Sequence, residues 1–149
     1  MIVVAIFSIL ATIGSAGWNQ YREKNKVDIA KGMVVSLLQR ARLKALSSGV
    51  SQSVLFTWAD NTVTAFGTTT AFDSGVDLVG YKCTAPVAAY ADAGASTFSF
   101  NRSGTVTYTS TVDVSGNPQN IKISSGNSGR VFYIKVRNVT GRIAVGETC

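Results

Sequence analysis

The sequence contains no histidine. That removes the usual general base near neutral pH, the Ser–His and Cys–His nucleophile pairs, and the commonest protein ligand for transition metals. Its two cysteines, Cys83 and Cys149, cannot complete an ordinary zinc site without histidine. Acidic residues are scarce, eight in 149, and scattered. Asp73 and Asp77 stand closest together, but Asp-x-x-x-Asp is not a calcium-loop pattern. No phosphate-cradling glycine motif occurs. Gly126-Asn127-Ser128-Gly129 has the outline of a nucleophile loop, and without a base it reads as a turn. These absences point away from an enzyme and leave no metal or cofactor to expect.

The chain does have apolar residues in quantity. Hydrophobic side chains make up 46% and charged ones 15%, enough to bury a core and too apolar for disorder. The net charge of +6 is uneven. Residues 22–44 hold Arg22, Lys24, Lys26, Lys31, Arg40, Arg42 and Lys44 against Glu23 and Asp28. This basicity suits either a solvated helix face or a partner-facing surface. A cysteine at the final position is well placed to pin the tail. In an exported protein Cys83 and Cys149 are expected to pair, in a cytosolic one to stay as thiols. The loop such a bond closes is worth about 4 kcal/mol in the chain-entropy model.

Residues 1–18, MIVVAIFSILATIGSAGW, carry no charge. Ile2, Val3, Val4, Ile6, Phe7, Ile9, Leu10 and Ile13 make the run apolar all round. It sits at the short end of the ~17–25 residues that span a bilayer as a helix. No basic segment precedes it and no small-residue cleavage site follows, so it reads as a retained anchor and not a signal peptide. Gly14 and Gly17 mark a soft spot, each weakening a helix by about 1 kcal/mol relative to alanine. They also suit close helix packing in lipid.

Beyond the run, Val27, Ala30, Val34, Leu38, Ala41 and Ala45 recur at steps of three and four, the stripe of an amphipathic helix. Gly49 is the expected stop. One long helix over 1–48 is therefore expected. After Gly49 the pattern becomes β-like. Strands are expected at 51–58, 62–66, 76–83, 97–100, 105–112, 121–124, 130–137 and 142–145, with a hairpin turn at Ala59-Asp60-Asn61 and a loop over 84–95. Asn138-Val139-Thr140 fits a glycosylation sequon, but it is expected to lie in a strand, and such triplets arise often by chance. The fold class expected is α+β: an N-terminal helix packed on an antiparallel β-sheet head. The division is 1–24, apolar helix, and 25–149, head, itself made of the amphipathic helix 25–48 and a β-rich region 49–149.

IVVAIFSILATIG followed by NQYREKNK resembles the N-terminal helix of type IV pilins and type II secretion pseudopilins. LLQRARLKALSSGVSQSVLF (37–56), FSFNRSGTV (98–106) and GRVFYIKVRNVTGRIAV (129–145) resemble the GspH/FimT branch, respectively in its Ala-Arg-rich helix end, its Phe-x-x-x-Gly element and its closing strands. The resemblance spans nearly the whole chain. It implies a pilin-like fold and a structural subunit, usually a minor pilin or pseudopilin. Such a subunit waits in the inner membrane with a periplasmic head, then joins a periplasmic or extracellular filament. Its partners are other pilin subunits, through the N-terminal helix. Members carry a short basic leader, a cleaved glycine and a Phe-Thr-Leu-Ile-Glu-Leu-like start. This sequence begins at Met1 within the apolar run, so the family's registration glutamate has no counterpart in it. An in-frame stretch of that kind upstream is expected. Bases flank only the C-terminal side of the run, which alone would place the head in the cytoplasm. The resemblance and the cysteine pair both favour the outside.

A second function follows from the resemblance. Some FimT-like proteins capture DNA for natural transformation through C-terminal bases, including a Gly-Arg-x-Arg motif. Here Gly141-Arg142-Ile143-Ala144 lacks the second arginine. Lys135, Arg137 and Arg142 are the DNA-binding candidates, with Lys135 and Arg137 on one strand face and Arg130 expected nearby. A membrane-anchored sensor head is a third class, distinguished by lack of helical self-association.

Overall fold

The structure, a computed structural model, describes residues 2–81, 94–110, 120–126 and 129–148, with the backbone alone over 2–20. Cys83 and Cys149, the greater part of the 84–95 loop and the side chains of the apolar run lie outside the described residues. A single helix, α1, spans Ile2–Ser48 and continues through Gly14 and Gly17 without a break. At 1.5 Å per residue it is about 70 Å long. It ends where expected: Gly49 takes φ +69°, and its N–H donates to the Ala45 carbonyl at 3.1 Å. Glycine enters that left-handed conformation without the Cβ penalty.

Among the described residues nine strands follow: β1 Gln52–Thr57, β2 Thr62–Ala65, β3 Thr68–Ala71, β4 Asp77–Tyr81, β5 Ala95–Phe100, β6 Val106–Ser110, β7 Asn120–Ser124, β8 Val131–Val136 and β9 Ile143–Gly146. They form two antiparallel sheets, ordered β3-β2-β1-β5-β6 and β4-β7-β8-β9, where a single sheet was expected. β3 was not expected either. Its residues, Thr-Thr-Thr-Ala, sit on a sheet edge and are mostly exposed, so they show no alternation of apolar and polar residues. The turn before it is disguised too. Phe66 and Gly67 both have positive φ, +55° and +79°, between paired Ala65 and Thr68. That is a two-residue hairpin of type I′ geometry, usually built from Asn-Gly or Asp-Gly. Phenylalanine at positive φ is uncommon.

All six stripe residues of α1 are buried: Ala30 is 4% exposed and the other five 0%. Three are alanines, which let the helix lie close to the strands. The stripe joins inward side chains from both sheets in one core: Val54, Phe56, Phe98 and Phe100 from the first, Ile121, Ile123, Phe132 and Ile134 from the second. On the first sheet Phe56 stacks on Trp58 at 5.1 Å and meets Phe98 edge-on at 5.5 Å. The buried Trp58 Nε1 donates to Ser96 Oγ at 2.9 Å, and Ser96 Oγ is 2.6 Å from Tyr108 Oη. A serine inside an aromatic layer thus satisfies the indole, as a buried N–H requires. Among the described residues no helix is long and apolar enough to cross a membrane.

Candidate interaction surfaces

Because the strands run back and forth between two ends, the turns collect at two poles of the head. α1 enters at one, beside Glu23, and ends at the other, beyond Arg42. The entry pole gathers the turns at 58–61 and 72–76 and the chain at 124–126 and 129–130. Ser125 Oγ donates to Glu23 Oε2 at 3.3 Å, and Lys26 Nζ to the Ser74 carbonyl at 3.4 Å. The far pole gathers the turns at 66–67, 101–105 and 137–142.

Two turns are locked together at the far pole. The Val106 N–H donates to the Asn138 carbonyl at 2.8 Å, joining the two sheets. Gly141, at φ +58°, lies so close to Gly104 that a Cβ on it would sit 2.0 Å from the Gly104 oxygen. Asn101 organises the first turn: its Oδ1 accepts from the Ser103 and Thr105 N–H groups and the Ser103 hydroxyl. Arg42 then reaches across from α1, Nη2 donating to the Thr140 carbonyl at 3.0 Å. The helix and both sheets meet at this knot. Its turns fall within the segments 98–106 and 129–145.

The expected DNA-binding residues are only partly brought together. Lys135 is half-buried on the outward face of β8, opposite Asn120 and Ala144. β8 ends at Val136, so Arg137 stands in the turn and does not share a strand face with Lys135. Arg137 and Arg142 are exposed and face each other across the turn, Arg137 N–H donating to the Arg142 carbonyl at 3.0 Å. Arg130 is at the opposite pole, a strand length of ~20 Å away. There it pairs with Asp28 at 3.1 Å and lies over the Phe132 ring. Arg102, not singled out in the sequence, is exposed on the turn docked against Gly141. Asn138-Val139-Thr140 lies in this exposed turn and not in a strand. The signal that could have shown this is Gly141, a left-handed residue two positions before β9.

The basic helix segment is divided in its use. Lys26 pairs with Glu23 at 3.2 Å and Asp73 at 3.6 Å, and Lys31 with Asp28 at 2.8 Å. Lys31 Nζ also lies 4.0 Å from the Phe132 ring centre, and Lys44 Nζ 4.8 Å from that of Phe66. Arg22 and Arg40 remain exposed.

The two poles differ in charge. Glu23, Asp28, Asp60, Asp73 and Asp77 belong to the entry pole and the adjoining helix turn, mixed there with Arg22, Lys24, Lys26, Lys31 and Arg130. Asn61 ties the aspartate-bearing turns together: its carbonyl accepts from Phe72 N–H at 3.0 Å and its Oδ1 from Leu78 N–H at 3.0 Å. Asp60, Asp73 and Asp77 are all exposed. The remaining described carboxylate, Glu147, follows β9, which runs back from the far pole. Arg40, Arg42, Lys44, Arg102, Arg137 and Arg142 lie at or near the far pole with no described carboxylate among them. Beside Asp73 a cleft of ≈ 240 Å³ opens between α1 and the β3–β4 connection. Ile29, Ala30 and Met33 form one wall, and Ala71, Phe72 and Val76 the other, with Lys26 and Asp73 at the rim. Among the described residues no three His, Cys, Asp or Glu side chains converge as a metal site would require.

No family model, no curated protein and no solved structure matches this chain.

Proposed function

We propose that the chain is a non-enzymatic structural subunit of a bacterial type IV pilus or type II secretion pseudopilus, with a pilin-like fold. Residues 1–18 hold it in the inner membrane before assembly. The observation that carries this reading is the division of labour along one uninterrupted helix. Its stripe from Val27 to Ala45 is part of the head's core, while some 37 Å of helix precedes Val27 and begins with a charge-free sequence. Such a run stays out of water in lipid or against neighbouring helices, at ~0.8 kcal/mol per buried methylene. Both environments serve one subunit at different times. The test is fractionation of cells making the full chain, with and without residues 2–18, followed by shearing of filaments. The full chain should sediment with membranes and appear in the filament fraction, and the deletion should do neither. A full-length chain found only in the soluble fraction refutes the proposal.

A second reading, DNA capture by a minor pilin, is favoured by one arrangement: Arg137, Arg142 and Arg102 are exposed on two turns locked together. Each phosphate contact contributes roughly one unit to the log–log salt slope. With few cations and Ala144 in place of the second motif arginine, binding should be weak and shallow in slope. Fluorescence anisotropy with duplex DNA at several salt concentrations, repeated for Arg142→Ala, decides the ranking. Tight binding at physiological salt that collapses in Arg142→Ala would put DNA capture first.

A further inference from the structure

We propose that copies of this chain stack head to tail, the far pole of one seated on the entry pole of the next, with Val139 entering the cleft beside Asp73. The inference rests on the filament reading above and specifies which surfaces meet.

Val139 is 75% exposed, at the tip of the turn that the Gly104–Gly141 contact holds rigid. Exposed Arg137 and Arg142 flank it. The opposite pole offers the complement: an apolar cleft between Met33 and Phe72, with Ile29, 59% exposed, on its lip. Asp73 lines the cleft, and exposed Asp77 and Asp60 lie on the adjoining turns that Asn61 stitches together. Lys26, the base at the rim, is already held by Glu23 and Asp73. Asp60 and Asp77, with Asp73 shared with Lys26, thus outnumber the one exposed arginine of that pole, Arg22, and face three exposed arginines at the other, with an apolar tip opposite an apolar cleft.

Within one copy these groups cannot neutralise each other. Glu23 and Arg42, which mark the poles along α1, are separated by ~28 Å of helix rise, well beyond a Debye length of ~10 Å at ordinary ionic strength. Between copies they can. Because the two surfaces differ, the contact is heterologous and repeats into an open row and not a closed dimer. It also sets the long helices of successive copies in the same direction, as subunits sharing a helical filament core require.

The test uses the full chain in cells that produce it, with a photoreactive benzophenone side chain at Val139 and, separately, at Phe7. The Phe7 probe reports helix association, which the filament reading needs. The Val139 probe should form an adduct with a second copy, mapped to peptides within 26–33 or 71–77. Arg137→Asp with Arg142→Asp should reduce that adduct roughly tenfold or more, since like charges then face one another across the contact. Adding Asp73→Arg and Asp77→Arg to the same chain should restore it. If Phe7 links copies and Val139 does not, stacking is overturned and the filament reading stands. If neither links copies, both fall. A Val139 adduct that carries nucleic acid and no second copy overturns stacking in favour of a polyanion at the far pole.

Discussion

Replacing Gly141 with alanine tests whether the far-pole knot holds the two sheets together. The added Cβ would lie 2.0 Å from the Gly104 oxygen, a backbone atom with little room to yield. Gly104 is held by its own N–H bond to the Asn101 carbonyl at 2.9 Å, and the neighbouring turn by Val106 N–H to Asn138 at 2.8 Å. Moving the turns apart also stretches the Arg42–Thr140 bond. A left-handed alanine costs about 1–2 kcal/mol, and forced separation of packed groups about 1–3 more, so the expected loss is about 2–5 kcal/mol of a typical 5–15. Gly67→Ala is the control. Its φ is +79°, yet nothing lies within 4 Å of the added carbon, so only the conformational cost of about 1–2 kcal/mol applies. In residues 25–149 Trp58 is the sole tryptophan, and it is buried, so its fluorescence reports unfolding directly. With a urea dependence of about 1–3 kcal/mol per molar, the midpoint should fall by roughly 2 M for Gly141→Ala and by under about 1 M for Gly67→Ala. Equal shifts would refute the argument that the Gly104–Gly141 contact bears load between the sheets.

Leu38→Asp would bury a carboxylate at a fully covered position in the core; the head should fail to fold cooperatively, and an unchanged thermal midpoint would dismiss the stripe. Ser96→Ala removes the acceptor of the buried Trp58 indole, at a cost of about 1–3 kcal/mol; the tryptophan emission should change in the folded state, and Ser96→Thr should recover part of the loss. Cys83 and Cys149 are expected to be bonded in protein recovered from the periplasm or from filaments; two thiols freely alkylated before reduction, read by mass spectrometry, would refute the pairing.

The helix was legible because its signal is redundant: six apolar residues at helical spacing, then a glycine, fix both the buried face and the end. The alternating strands were legible for the same reason, as in Phe98–Phe100 and Phe132–Ile134–Val136. The edge strand β3 was not, because an edge exposed on both faces needs no alternation. Phe66 at positive φ also hid its turn. The partition into two sheets lay beyond local pattern, since β1 pairs with β5 and β4 with β7 across long stretches of chain. The candidate surfaces were the least legible. Arg137 and Arg142 were visible as bases, but their companion Arg102 lies far away in sequence. Arg130, near in sequence, is drawn to Asp28 at the other pole. Adjacency of charges was here a matter of topology, with strand count deciding which turns share an end.

The two poles are held by different kinds of force, and this gives the head a direction of softness. At the entry pole the ties between α1 and the turns are two ion pairs with partly exposed partners, Lys26–Asp73 and Asp28–Arg130, and two long hydrogen bonds, Ser125 to Glu23 and Lys26 to the Ser74 carbonyl. Such pairs contribute ~0–1 kcal/mol each and weaken with salt. At the far pole the ties are backbone hydrogen bonds, a glycine–glycine contact and Arg42. The Nε of Arg42 is buried with no hydrogen-bond partner among the described residues, a cost borne to bring the planar fork to the Thr140 carbonyl. Lysine would not supply that geometry. Raised salt should therefore loosen α1 from the turns where it enters the head while leaving the knot at its other end intact. For a filament subunit that ordering is useful. Under the proposed role, the helix would adjust its angle to the head while the far pole keeps its shape.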